Sequence, residues 1–321
     1  MCTAISLKTN DKYFGRNLDI DLSYGEEVCI VPRNFPLNFR NGKNIKTHYA
    51  YIGMATVVGG TPLFYDAVNE FGLAVAGLNF PNNAYYTPLD ESKINIAPFE
   101  LIPYILSQCK SITDTKKLLE NMKLADISFS ENLPNSPLHF IVCDGDGSIV
   151  IEPTKEGLNI YDNKYEVLTN NPPFPFQVEN LKNYENLRAD SKNVKYDDSH
   201  FCQGLGAVGL PGDVSSMSRF VRVVFLKQNS RCDADEYSSV GQFFHILSNV
   251  EMVKGACITD KDSLDFTLYS CCMNMSKGLY YYKTYTNSRI NCINMHSADL
   301  DGDKISRFAL QQHQEINYQN A

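Results

Sequence analysis

Two short runs near the N-terminus, TAISLKT (Thr3–Thr9) and YFGRNLDI (Tyr13–Ile20), are separated by Asn10-Asp11. Both runs have strand patterning, and Asn and Asp tolerate the backbone of a tight turn, so the pair predicts an antiparallel hairpin. This hairpin sets the first sheet and fixes which side chains share a face. With Asn10-Asp11 as a two-residue loop, Thr9 faces Lys12, Cys2 faces Asp19 and Ala4 faces Asn17. Cys2, Ala4, Ser6, Gly15, Asn17 and Asp19 then form one small, polar face. Ile5, Leu7, Phe14 and Leu18 form the other. On that register Arg16 pairs with Ile5 and points away from Cys2.

More strand patterns follow at Glu27–Pro32, Ala50–Val58, Phe64–Asn69 and Leu73–Asn79, the last two around a turn at Phe71-Gly72. Ala97–Met122 reads as two helices, with Ser111 or Thr113 as N-cap of the second. Four short strands between Leu138 and Asn171 are divided by Gly/Asp turns. Phe176–Ala189 reads as a helix and Asp190 to His200 as a polar loop. MSRFVRVVFLKQ and SSVGQFFHILSNVEMV read as further helices, and the chain finishes in a three-strand meander. Runs of hairpin-linked strands with helices between them predict an α+β layered fold, antiparallel sheets covered by helices. No repeats or linkers divide the 321 residues, so one domain spanning 1–321 is expected.

The net charge is −8 with no long Lys/Arg run, which argues against nucleic acid and anionic membranes as partners. No apolar run approaches the roughly 18 residues of a transmembrane helix, and no secretory leader pattern is visible, so a cytoplasmic protein is expected. The ten cysteines include no CxxC pair, so zinc is not expected, and apart from Cys2 they read as buried, reduced side chains. GLGAVG (Gly204–Gly209) matches a dinucleotide fingerprint but runs into LPGDVSS, which cannot open the required helix. DLDGDK and DGDG lack the glycine placement of a calcium loop and read as solvated turns. The six histidines show no HExxH or i,i+4 pair, and His245, within QFFHIL, reads as a core histidine.

Cys2 is different. Removal of Met1 is favoured when the next residue is small, and would leave Cys2 with both a thiol and a free α-amine. The ordinary values are about 8.5 for the thiol and about 7.7–8.0 for the amine, so a base that works near neutrality sits beside a soft nucleophile. That is the chemistry of an N-terminal nucleophile, whose own amine replaces the histidine of a triad.

MCTAI, YFGRNLD, FYDAVNEFGLAVAGLNFP, LTNNPPF, GLPGDVSSMSRFVR, FFHIL and YYYKTY span almost the whole chain. Together they resemble the choloylglycine hydrolase family of bile salt hydrolases and penicillin V acylases. The resemblance implies an αββα sandwich, loss of Met1 alone on maturation, hydrolysis of a secondary amide without metal or cofactor, and a homotetramer. By position it implies Cys2 as nucleophile, with its α-amine as base. It implies Arg16 near the thiol, Asp19 orienting the amine, Asn79 and Asn170 at the oxyanion, and Arg219 bracing the site. Since Arg16 is then required beside Cys2, a bulge at Gly15 is expected to re-aim it.

The implied substrates are glycine- or taurine-conjugated bile acids, whose anionic leaving groups would suit a site holding Arg16 and Arg219. A steroid wall of Leu18, Ile20, Tyr24, Ile127, Phe129 and Leu133 is expected. Bile salt hydrolases typically carry Asn at the position of Asn79 and many penicillin V acylases carry Tyr, so bile salts are favoured. The other readings are penicillin V cleavage and a redox or non-catalytic thiol protein on the same fold.

Overall fold

A computed structural model describes residues 1–192 and 203–320. His200, Cys202 and most of the expected polar loop after Asp190 lie outside the described residues. Two large antiparallel sheets carry the fold. Their strands are β1 (Cys2–Lys8), β2 (Lys12–Ile20), β3 (Glu27–Val31), β4 (Tyr51–Val58), β5 (Thr61–Asn69), β6 (Ala74–Asn79) and β7 (Leu138–Cys143). Next come β8 (Ser148–Thr154), β9 (Gly157–Asp162), β10 (Val167–Leu168), β11 (Phe266–Asn274), β12 (Leu279–Thr284), β13 (Asn287–Asn294) and β14 (Ser306–Ala309). The six-stranded sheet runs β10-β1-β2-β11-β12-β13, and the eight-stranded sheet β9-β8-β7-β6-β5-β4-β3-β14.

Helices α1 (Leu101–Leu106) and α2 (Ile112–Leu119) precede β7. Ser111 caps α2, its hydroxyl accepting from Asp114 N–H at 3.1 Å. Helix α3 (Phe174–Asn180) is shorter than the expected Phe176–Ala189 and continues only as a single 3-10 turn, Leu181–Tyr184. Helices α4 (Ser216–Asn229) and α5 (Glu236–Ser248) match the two expected runs.

The central strands of each sheet are buried on both faces. Leu101 and Ile105 of α1 share a cluster with Val75, Phe140 and Ile151 on the outer face of the larger sheet. Phe220 and Val224 of α4 and Phe243 and Leu247 of α5 belong to the other cluster, with side chains from both sheets such as Phe14, Tyr269, Ala76 and Leu78. The layers are therefore helix, sheet, sheet, helix, the expected αββα sandwich. His245 is exposed rather than buried. Val240, Phe243, Phe244 and Leu247 take the buried face of α5, leaving position 245 on the outside. Six of the nine described cysteines are buried, but Cys232 and Cys292 are exposed.

The hairpin register differs from the expected one by a single residue. Lys8 pairs with Lys12, Ala4 with Arg16 and Cys2 with Leu18. Thr9 belongs to the loop, its N–H donating to the Asp11 carbonyl at 3.0 Å. A one-residue slip exchanges the two faces of a strand. Arg16 therefore shares the Cys2 face with no bulge at Gly15, and Asp19 moves to the opposite face. Gly15 has another role: a Cβ there would lie 2.0 Å from the Cys271 carbonyl oxygen, so only glycine lets β2 approach β11 so closely. The bulge falls on β11 instead, between Thr267 and Tyr269, and brings Thr267 opposite Asp19.

Candidate active site

Cys2 begins β1 and is almost fully buried. Its side chain and those of Ala4, Arg16 and Leu18 line the face of the smaller sheet that meets the larger one. There Arg16 Nη1 donates to the Tyr65 carbonyl at 3.2 Å and to the Gly77 carbonyl. Its Nη2 has no hydrogen-bond partner among the described residues. Burial alone would lower the basicity of Arg16, but acidic groups around it, Cys2, Tyr269, Asp66 and Cys271, outweigh that and raise it. Asp66, also fully buried, accepts hydroxyl donors from Tyr269 at 2.5 Å and Tyr280 at 2.7 Å. Burial pushes its carboxyl up, against the opposing pull of Arg16 and the two phenols.

The helix-facing side is built on α4. Ser215 caps this helix, and from the same face, three residues apart, Ser216 meets Thr169 and Asn170 while Arg219 reaches β1. Arg219 Nη1 donates to the Cys2 carbonyl and, at 2.6 Å, to Thr3 Oγ1. Its Nη2 donates to Asn170 Oδ1 at 2.7 Å and its Nε to the Val214 carbonyl at 3.0 Å. Burial lowers Arg219, partly offset by Asp19, Cys2 and Asp265.

Asn170 joins these parts. Its Oδ1 also accepts the Cys2 backbone N–H at 2.8 Å, and its Nδ2 donates to the Asn79 carbonyl at 2.7 Å. Two donors on one atom and an acceptor on the other fix the amide orientation. Its own N–H donates to Ser216 Oγ at 2.8 Å. The Asn79 side chain is exposed at the end of β6.

Met1 pairs with Asp19 through the backbone. Its terminal amine donates to the Asp19 carbonyl at 2.6 Å, and Asp19 N–H returns a bond at 2.9 Å. The amine also meets Asp265 Oδ2 at 3.0 Å. The Asp19 carboxyl accepts from Thr267 Oγ1 at 2.6 Å, and its other oxygen has no hydrogen-bond partner among the described residues. Burial raises Asp19, while Arg219, the terminal amine and Thr267 act in the opposite sense.

The six expected catalytic positions thus converge on the first residues of β1, although Asp19 reaches them from the other face. The expected steroid wall does not converge in the same way. Leu18 lies directly opposite Cys2, and Ile20 follows on the same face. Tyr24 is half-exposed in the loop after β2. Ile127 lines a cavity of about 550 Å³ with Arg40, Leu89, Lys93 and Ile94, none of which borders Cys2. Phe129 packs edge-on against Phe99, its carbonyl accepting from Arg40 at 2.8 Å, and Leu133 closes a tight turn with Ser130. Both arginines are fully buried, so neither guanidinium is exposed for contact with a bound anion. Sequence reasoning missed Asp66, Tyr269, Tyr280, Thr267, Asp265 and Ser216, which no spacing rule connects to position 2.

A fold of two sheets between helices, with a cysteine, two buried arginines and two asparagines gathered at the start of its first strand, has the form of an N-terminal nucleophile hydrolase. The family described as linear amide C–N hydrolases, choloylglycine hydrolase family, matches residues 2–308, and the chain belongs to it. It is 49% identical over 314 residues to the bile salt hydrolase/transferase of Lactiplantibacillus plantarum, covering 97% of both chains. It is 42% identical to that of Clostridium perfringens, covering 100% of both. A solved conjugated bile acid hydrolase from Clostridium perfringens superposes with a TM-score of 0.92 at 41% identity, covering 100% of both chains. A penicillin V acylase from Agrobacterium tumefaciens shares the fold, with a TM-score of 0.78 at 18% identity, covering 97% of this chain and 92% of its own. No helix among the described residues is long and apolar enough to cross a membrane.

Proposed function

We propose that this chain hydrolyses the amide bond of glycine- or taurine-conjugated bile acids, with Cys2 as nucleophile after loss of Met1. The observation that carries the reading is the seat of the Cys2 nitrogen. It lies 2.8 Å from Asn170 Oδ1, on an amide that Arg219 also holds. Cleavage of the Met1–Cys2 bond leaves an amine already fixed beside its own thiol. The names of the full-length relatives favour bile salts, as does Asn79.

In the proposed reaction the α-amine takes the thiol proton and the sulfur attacks the amide carbon. Arg16, on the same face, favours the negative charge on sulfur. The tetrahedral oxyanion accepts from Asn170 Nδ2 and Asn79; one such donor is worth about 2.7–4 kcal/mol of barrier. The ammonium then protonates the departing nitrogen, releasing glycine or taurine and leaving a thioester. Water, deprotonated by the same amine, cleaves the thioester and releases the bile acid. Asp19 steadies the amine end from the helix side. Leu18 and Ile20 begin the apolar wall, with Tyr24, Ile127, Phe129 and Leu133 as its proposed outer members. A homotetramer in the cytoplasm extends the family resemblance and the sequence composition, and is tested by native mass and cell fractionation.

The decisive experiment joins intact mass to glycine release from glycocholate, with penicillin V as the competing substrate. The expected outcome is a chain lacking Met1 that releases glycine faster than it cleaves the side-chain amide of penicillin V. Retention of Met1 in the active protein, or undiminished turnover by Cys2→Ala, would overturn the mechanism. Faster penicillin V cleavage would overturn the substrate.

A further inference from the structure

One histidine that the mechanism does not use lies between the two segments proposed to bind the oxyanion. His139, on β7, and Glu152, on β8, are both completely buried. His139 Nδ1 meets Glu152 Oε1 at 3.1 Å, and its Nε2 meets the Thr169 carbonyl at 3.0 Å. A carbonyl only accepts, so Nε2 carries a proton and donates it to Thr169. Glu152 Oε1 also accepts the Phe174 N–H at 2.9 Å, at the start of α3. The flat of the imidazole stacks on Phe80, with centroids 4.2 Å apart and planes 6° from parallel.

Thr169 directly precedes Asn170, and Phe80 directly follows Asn79. A single rigid ring therefore touches the neighbour of each asparagine. Around it, Thr169 Oγ1 donates to the Ser216 carbonyl at 3.1 Å, and Asn170 Nδ2 closes the gap to the Asn79 carbonyl. We propose that His139, backed by Glu152, is a positioning residue that sets the spacing of Asn79 and Asn170 around the oxyanion. This deepens the hydrolase reading above and rests on it. The imidazole touches no reacting atom. It acts by holding the end of β6, in the larger sheet, against the segment that follows β10, in the smaller one, and catalysis is sensitive to displacements of this kind.

The test separates oxyanion binding from nucleophile reactivity. Alkylation of Cys2 by iodoacetamide needs the thiolate but forms no tetrahedral oxyanion, whereas amide hydrolysis needs both. His139→Gln keeps a donor that reaches Thr169; His139→Asn is too short to reach it. With glycocholate, the Asn variant is expected to lose roughly 10- to 100-fold in kcat, with KM and alkylation rate within about twofold of the parent. The Gln variant is expected to recover most of the loss. Glu152→Gln, which alters the support without touching Thr169, is expected to fall between the two and guards against a misfolded Asn variant. Unchanged kcat in His139→Asn and Glu152→Gln overturns the proposal. So does a parallel fall in kcat and alkylation, since that would place the effect on the whole fold. Failure of the unaltered protein to release glycine would instead overturn the hydrolase reading.

Discussion

Arg16 and Arg219 are both fully buried and both border Cys2, yet they are held in opposite ways. Arg16 lies between the two sheets, in a cage of acidic side chains, with one guanidinium nitrogen unpartnered among the described residues and its basicity raised. Arg219 lies between sheet and helix and gives hydrogen bonds to Cys2, Thr3, Asn170 and Val214, with its basicity lowered by burial. In the proposed reaction the two faces of one hairpin thus divide the work. The inter-sheet face offers charge to the sulfur. The helix face offers geometry to the backbone nitrogen and to Asn170.

The largest effect should come from breaking the helix face. Arg219→Ala leaves several buried acceptors without a donor and is expected to cost about 3–5 kcal/mol in denaturant unfolding, with hydrolysis lost. Arg16→Met is expected to cost only about 1–2 kcal/mol of stability, because two carbonyls lose a donor and the methionine refills the space. Its chemical cost should be of similar size: alkylation of Cys2 at pH 7 should slow about tenfold, equivalent to a little over 1 kcal/mol at the sulfur. If the folded Arg219 variant slows alkylation as much as Arg16→Met does, the division between charge and geometry fails.

A smaller effect sharpens the division at Asp19. Burial raises this carboxyl, so the folded protein binds its proton more tightly than the unfolded chain does. Its contribution to stability is full below the unfolded value and is lost as pH rises through the folded one. Thr267→Val removes a hydrogen bond that favours the charged form, and should cost about 1–2 kcal/mol more at pH 8 than at pH 4. Thermal unfolding at the two pH values checks this. A cost that is equal at both, or larger at pH 4, would mean that Thr267 acts not through the charge on Asp19 but through packing and the Met252 N–H that its Oγ1 accepts at 2.7 Å.

The layered fold was legible because each layer leaves a local pattern: hairpin turns divide the strands, and Ser111 marks the start of α2. Strand β14 was not, because four residues at a sheet edge, exposed apart from Ser306, carry no burial pattern. The site was harder. Putting Thr9 into the loop moves every pairing by one residue and exchanges Arg16 for Asp19 beside the sulfur. No local rule separates a two-residue from a three-residue loop at Asn10-Asp11. Asn79, Asn170 and Arg219 were placed by family resemblance alone, since chain distance says nothing of their meeting. His139 left no signal: in LHFIVC it reads as one residue of a buried strand.

The smallest expected effect tests how far the inter-sheet face extends from the sulfur. Tyr280 donates to Asp66 and does not touch Cys2. Tyr280→Phe leaves Asp66 with the Tyr269 donor and should cost about 1 kcal/mol in denaturant unfolding. A less well-bonded Asp66 carries its negative charge less readily, so it opposes the charge of Arg16 less. Alkylation of Cys2 should then be unchanged or slightly faster, and kcat for glycocholate should stay within a few-fold of the parent. A marked slowing of alkylation would mean that the phenols set the position of Arg16 rather than the charge on Asp66, and that geometry governs both faces of the hairpin.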